Sequence, residues 1–218
     1  MSFGEPPGAL LLTPGAGSDR DHSSLLALEA ALAPMPVVRV DFPYRRAGRK
    51  APDRAPRLVA CVVEEAAALA ETAGVSPDRV VVGGRSMGGS MCSMAVAQGL
   101  PSAGLVLISY PLHPPGRPER MRMDHFPAVN LPCLFVSGTR DPFATPDELE
   151  AATAQIAGPV THLWIEGTGH GLEGADARVA ASVAQWLTGA RCHPRDASRS
   201  GRSLEGSPRR RRRPPHSG

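Results

Sequence analysis

The chain has 218 residues, of which 42% are hydrophobic and 4% aromatic, and its formal net charge is +3. This size predicts one main domain with an aliphatic core, and the hydrophobic content excludes a wholly disordered chain. The positive charge comes from an arginine-rich end after residue 190, because residues 1–190 contain more acidic than basic groups. The main part of the chain therefore gives no reason to expect a specific nucleic-acid partner.

The N-terminal residues carry no export signal, and no apolar run is long enough to cross a bilayer. The four cysteines are widely spaced and match neither a zinc site nor a disulfide framework. We therefore expect a cytoplasmic protein with no membrane span.

The composition divides the chain into two parts. We predict an α/β domain over residues 1–190 and a disordered tail over residues 191–218, which is rich in Arg, Pro and Ser. Two interpretations of the tail remain open. It has no selected role, or its run Arg209–Arg213 binds anionic surfaces without specificity.

Short apolar runs alternate with helical patterns along residues 1–190. The predicted strands are Ala9–Thr13, Val37–Asp41, Arg79–Val82, Gly104–Ser109, Cys133–Ser137 and Val160–Ile165. The predicted helices are Ser23–Leu32, Ala55–Thr72, Met87–Gln98, Pro146–Ile156 and Ala175–Leu187. Strands that are apolar throughout are buried on both faces, so the pattern predicts an α/β fold with a mostly parallel sheet of about six strands between helices.

The third strand leads into the G-x-S-x-G motif of Gly84–Gly88, and a helix follows. A strand, a sharp turn and a helix in this order are typical of a nucleophile elbow, which raises the serine hydroxyl above the sheet edge. Ser86 is then the nucleophile, and the Met87 N–H points toward the developing oxyanion. The alternative is a glycine-rich turn with a capping serine, which the flanking strand and helix make less favoured.

Activating a serine requires a histidine base and an orienting carboxylate, in the chain order Ser, acid, His. His170 lies in a glycine-rich loop directly after the last predicted strand, whereas His162 lies inside that strand. Asp141 follows the preceding strand and is the favoured acid, although an Asx turn before Pro142 would also explain it. Competing carboxylates lie in the next helix or after the fourth strand: Asp147, Glu148, Glu150 and Asp124.

The second oxyanion donor should come from the loop after the first strand, where Ala16 stands between two glycines. A dinucleotide-binding motif is excluded because Arg20 occupies the position of its third glycine. There is also no P-loop and no cluster of metal-ligand residues. We therefore expect no cofactor and no metal.

Six stretches taken together resemble a known family. They are Leu10–Gly17, Asp41–Pro52, Gly84–Gly89, Tyr110–Gly116, Gly138–Phe143 and Gly167–His170. The chain resembles the α/β-hydrolase superfamily in its small dienelactone-hydrolase-like branch, and within it the bacterial relatives of the hydrolase-like domain of testis-expressed and NSL-complex subunit 3 proteins. The resemblance implies a minimal fold without a large lid domain and a Ser86, Asp141, His170 triad. Two departures are Pro14, where relatives often have His, and Ser86, where true dienelactone hydrolases have Cys.

Most basic residues of the first 190 fall in loops at the carboxyl ends of the predicted strands, where such sheets bind ligands. We therefore predict that Arg45, Arg46 and Arg85 bind an anionic group on the substrate. The alternative, equally weighted, is that these arginines form surface ion pairs or hold loops.

The residues together predict a serine hydrolase that cleaves a small, preferably anionic, ester or thioester through an acyl-enzyme. The alternative is a catalytically silent scaffold that binds a protein partner, and a third possibility is polyanion binding through the tail. The sequence does not indicate an oligomeric state.

Overall fold

The computed structural model describes residues 6–189, which form one six-stranded sheet. The strands are β1 Ala9–Thr13, β2 Val37–Arg39, β3 Val80–Arg85, β4 Gly104–Ile108, β5 Cys133–Gly138 and β6 Val160–Ile165. Their order is β2-β1-β3-β4-β5-β6, and every adjacent pair is parallel. The predicted α/β fold class is confirmed, with a sheet that is entirely parallel.

Helices cover both faces of this sheet. They are α1 Ser23–Leu32, α2 Pro43–Arg46, α3 Ala55–Ala73, α4 Met87–Ala97, α5 Pro146–Thr153 and α6 Asp176–Leu187. Helices α1 and α6 pack on one face, and α3, α4 and α5 pack on the other. Side chains of β1 alternate between the two apolar layers, with Leu11 in one and Leu10 and Leu12 in the other. The four inner strands, β1, β3, β4 and β5, are buried at every residue, which explains their mostly apolar sequences.

Strand β3 continues to Arg85, beyond the predicted end at Val82, because Gly83 and Gly84 stay in the ladder. A Cβ at Gly83 would collide with the Val106 carbonyl, and one at Gly84 with Thr13. Side chains would not fit at these two positions. Because both residues are glycine, they can stay paired with the neighbouring strands, and the strand continues to Arg85.

The helix boundaries also differ in places from the predicted ones. Helix α2 was not predicted from the sequence. It has four residues and begins at Pro43. Helix α5 ends at Thr153 and begins with a capping box, since Glu148 N donates to Thr145 Oγ1 and Thr145 N donates to the Glu148 carboxylate.

None of the helices within residues 6–189 is both long enough and apolar enough to cross a membrane. The predicted tail over residues 191–218 lies outside the described residues, so its disorder stays a prediction.

Candidate active site

Ser86 occupies the turn between β3 and α4 with φ +50° and ψ −120°. A serine rarely adopts this conformation, which costs about 1–3 kcal/mol and persists only where the surroundings enforce it. Here Gly84 and Gly88 both lie against Thr13, where any Cβ would clash, and Ser86 N donates to the Ile108 carbonyl at 2.8 Å. The tight packing of β1 against this turn therefore holds Ser86 in this backbone conformation.

Three side chains that are far apart in the sequence meet above the sheet. His170 Nε2 lies 2.9 Å from Ser86 Oγ. His170 Nδ1 lies 2.8 Å from Asp141 Oδ2 and 3.1 Å from Oδ1. The structure thus brings together all three residues selected from the sequence, in hydrogen-bonding order Ser, His, Asp.

Asp141 is 3% exposed, and the amide of Phe143 donates to its Oδ1 at 2.9 Å. This contact is an Asx-type turn. Asp141 therefore forms the turn before Pro142 and contacts His170 at the same time, so the two interpretations of this residue do not exclude each other. The Phe143 ring lies 4.1 Å, centroid to centroid, from the His170 imidazole. The loop after β5 therefore holds the Asp141 carboxylate, and its Phe143 ring lies against the His170 imidazole.

The loops that carry the acid and the base are packed directly against each other. Arg140 N donates to the Thr168 carbonyl at 2.9 Å, and Gly167 N donates to Thr139 Oγ1 at 2.9 Å. A Cβ at Gly138 would collide with the carbonyls of Thr168 and Gly169. This close approach fixes the distance between the carboxylate and the imidazole.

The predicted role of Arg85 in substrate binding would require an accessible guanidinium, but the side chain is buried. The residue is 8% exposed, and its Nη2 donates to the carbonyls of His170 at 2.9 Å and Gly171 at 3.0 Å. Burial lowers the pKa of the guanidinium from its usual value. The arrangement makes Arg85 a support for the histidine loop, a role that no local sequence pattern indicates.

The oxyanion candidates lie on either side of Ser86. Met87 is the first residue of α4, so its N–H has no carbonyl in a preceding turn and sits at the positive end of the helix dipole. On the other side, a Cβ at Gly15 would lie 3.5 Å from the Ser86 Cβ. The Tyr44 hydroxyl donates to the Ala16 carbonyl at 2.9 Å and holds that peptide in place. Sequence reasoning missed Tyr44.

Arg45 and Arg46 are both engaged by carboxylates of the protein. Arg45 Nη2 lies 3.3 Å from Asp19 Oδ2, and Arg46 pairs with Glu65. These contacts favour the alternative in which the arginines hold loops, and binding of substrate by either stays a prediction.

Two of the competing residues, His162 and Glu150, have structural partners of their own. Thr153 Oγ1 is 2.9 Å from His162 Nε2, and the His162 ring stacks between Phe135 and Trp164, as expected for a packed strand residue. Glu150 accepts a hydrogen bond from Trp164 Nε1.

A family model described as an alpha/beta hydrolase domain matches residues 6–190. The chain belongs to the α/β-hydrolase family. Family membership supports hydrolase activity and agrees with the dienelactone-hydrolase-like branch indicated by the motifs.

Solved structures share this α/β-hydrolase fold. Dienelactone hydrolase from Anabaena variabilis matches at 20% identity over 85% of this chain and 88% of its own, with a TM-score of 0.67. Est1E from Butyrivibrio proteoclasticus matches at 13% identity over the same shares, with a TM-score of 0.68. The type II thioesterase BorB from the borrelidin biosynthetic cluster matches at 21% identity over 84% and 95%, with a TM-score of 0.60.

Proposed function

We propose that this protein is a serine hydrolase that cleaves a small ester or thioester through an acyl-enzyme. The observation that carries the proposal is the continuous chain of contacts from Ser86 Oγ through His170 to the Asp141 carboxylate. This is the arrangement that a serine hydroxyl needs to act as a nucleophile at neutral pH.

In the first half-reaction, Ser86 Oγ attacks the acyl carbonyl while His170 Nε2 takes the hydroxyl proton. Asp141 accepts the hydrogen bond from Nδ1–H and so keeps Nε2 free to act as the base. The amides of Met87 and Ala16 stabilise the oxyanion of the tetrahedral intermediate. When the intermediate collapses, the bond to the leaving oxygen or sulfur breaks and His170 returns the proton to that atom.

In the second half-reaction, a water molecule occupies the place of the leaving group. His170 takes a proton from the water, which attacks the acyl-enzyme carbonyl. The bond to Ser86 Oγ then breaks, the acid is released, and the serine regains its proton from His170.

An ester or thioester substrate is supported by the similar structures, which include a dienelactone hydrolase and a type II thioesterase. An anionic substrate has less support, because Arg45 and Arg46 face carboxylates of the protein. A cytoplasmic location is part of the proposal and fits the buried free thiols of Cys61, Cys92 and Cys133.

Labelling with a fluorophosphonate, followed by intact-mass measurement, tests the proposal. We expect one adduct on the wild-type protein and none on Ser86→Ala, with matching circular dichroism spectra for both. A folded wild-type protein without an adduct would overturn the proposal and would favour a scaffold that binds a protein partner.

A further inference from the structure

A cavity of about 470 Å³ opens beside the nucleophile elbow, between α4 and the segment that follows β4. Its walls contain five of the seven methionines of the chain. They are Met87, Met91, Met94, Met121 and Met123. Such a concentration of one flexible side chain in one place points to a binding role beyond filling the core.

The cavity wall includes Met87, the residue next to the proposed nucleophile. Met87 follows Ser86 directly, and Met91 and Met94 continue at positions i+4 and i+7 on α4, so that these three share one face of the helix. Met121 and Met123 form the opposite wall, and Met121 is 39% exposed at the rim. A methionine-lined groove thus runs along α4 from Met87, the residue that follows Ser86.

The inner polar groups of the cavity are neutral. The Tyr110 hydroxyl donates to the Arg122 carbonyl at 2.9 Å, and burial raises the pKa of this tyrosine to about 12. His125 Nε2 lies 2.8 Å from Ser93 Oγ, and burial lowers the pKa of this histidine. The inside of the cavity therefore offers no charge to a substrate.

Charges occur at the mouth of the cavity and have opposite signs. Arg122 and Asp124 are both exposed there, two positions apart on the segment after β4. Their nearly balanced charge gives little preference for an anionic or a cationic group. Apolar contact with the methionine side chains is therefore the main interaction that can select a ligand.

We infer that the methionine-lined cavity binds the acyl group of the substrate and selects linear apolar acyl chains longer than acetyl. The inference rests on the proposed function, because the chain enters the cavity when its carbonyl lies at Ser86. The volume falls within the range of ordinary small-molecule sites. Unbranched thioether side chains adapt to acyl chains of different length, which fits a site that accepts several related esters.

The expected selectivity follows from burial of methylene groups. One methylene in an apolar pocket changes kcat/KM by about tenfold or more. We therefore expect 4-nitrophenyl octanoate to exceed 4-nitrophenyl acetate by at least about tenfold in kcat/KM.

Filling the cavity tests its role. Met94→Trp places a large ring in the α4 wall and should lower the octanoate-to-acetate ratio of kcat/KM by at least about tenfold. Met123→Trp fills the same space from the other wall and replaces the first variant if that one does not fold. Met35→Leu is the matched control, since Met35 packs in the apolar layer on the other face of the sheet, and it should keep the wild-type ratio.

Fluorophosphonate labelling of Ser86 is measured on the same samples and separates the two proposals. Absence of labelling on the folded wild-type protein overturns the proposed function. Labelling together with equal kcat/KM values for acetate and octanoate overturns the cavity assignment alone. An unchanged ratio in the folded tryptophan variants also overturns it, whereas a lower ratio confined to these variants supports it.

Discussion

The guanidinium of Arg85 donates a 2.9 Å hydrogen bond to the backbone carbonyl oxygen of His170. The residue immediately before the proposed nucleophile thus holds the loop that carries the proposed base. A second bond reaches the Gly171 carbonyl, and the side chain is largely shielded from water. Movement of the strand end would therefore move the serine and the histidine together.

Replacing Arg85 should affect catalysis more than substrate binding. In Arg85→Met both carbonyls lose their donor, and we expect kcat to fall by about 100-fold, because a displacement of about 1 Å has that effect on a catalytic group. KM should change little, since the Arg85 side chain does not line the methionine-lined cavity. Steady-state kinetics on a 4-nitrophenyl ester measures this split. A KM effect without a kcat effect would contradict the positioning role.

Asp141→Asn should lower kcat by about 10⁴-fold, because an amide no longer stabilises the imidazolium or holds the required tautomer. The asparagine has the same shape as the aspartate, so the circular dichroism spectrum should be unchanged. Asp147→Asn is the matched control in the first turn of α5 and should keep wild-type kcat. Equal losses in the two variants would show that the carboxylate was wrongly assigned.

Tyr44→Phe should lower kcat by about fivefold, since its hydroxyl holds the Ala16 carbonyl and thereby positions the residue whose N–H is the proposed second oxyanion donor. The lost hydrogen bond is worth about 1 kcal/mol, which corresponds to about fivefold in rate. KM should stay near the wild-type value because the change is in stabilisation of the oxyanion. A variant whose melting temperature falls while kcat is retained would limit Tyr44 to a structural role.

Arg45→Gln and Arg46→Gln should have similar effects on charged and neutral substrates. Because each arginine faces a protein carboxylate, we expect kcat/KM for an anionic hemisuccinate ester and for a neutral butyrate ester to change by the same factor, within about twofold. Comparing the two esters of one alcohol measures this directly. A selective loss on the anionic ester would restore the substrate-binding role predicted from the sequence.

Stability should decrease as the pH falls below neutrality. Burial lowers the pKa of His22, His125 and His162 from the usual 6.5, so the unfolded chain binds more protons than the folded one in that region. The free energy of unfolding is therefore greatest above 6.5 and declines as the pH drops through the folded pKa values. Urea unfolding at about pH 8 and about pH 5.5 tests the sign, and His162→Phe should reduce the dependence.

The features that the sequence predicts well are those that depend on neighbours along the chain. Continuous apolar runs mark all six strands, and the glycines around Ser86 mark the elbow. The end of β3 was misplaced because Gly83 and Gly84 usually break strands, whereas here contact with adjacent strands keeps them in the ladder.

Roles that depend on contacts between distant segments could not be predicted. Arg85 acts through carbonyls that lie 85 and 86 residues further along the chain. Tyr44 acts through a peptide 28 residues earlier. The methionine-lined cavity combines one face of α4 with a segment that lacks regular periodicity. In each case only the three-dimensional arrangement shows what the side chain touches.

The chain order of the site also constrains when the protein can become active during its synthesis. The oxyanion loop, the serine and the aspartate precede β6, and the histidine follows it. An incomplete chain that ends before β6 contains the proposed nucleophile without its proposed base. In the proposed mechanism, Ser86 therefore gains its base only after the edge strand β6 has joined the sheet.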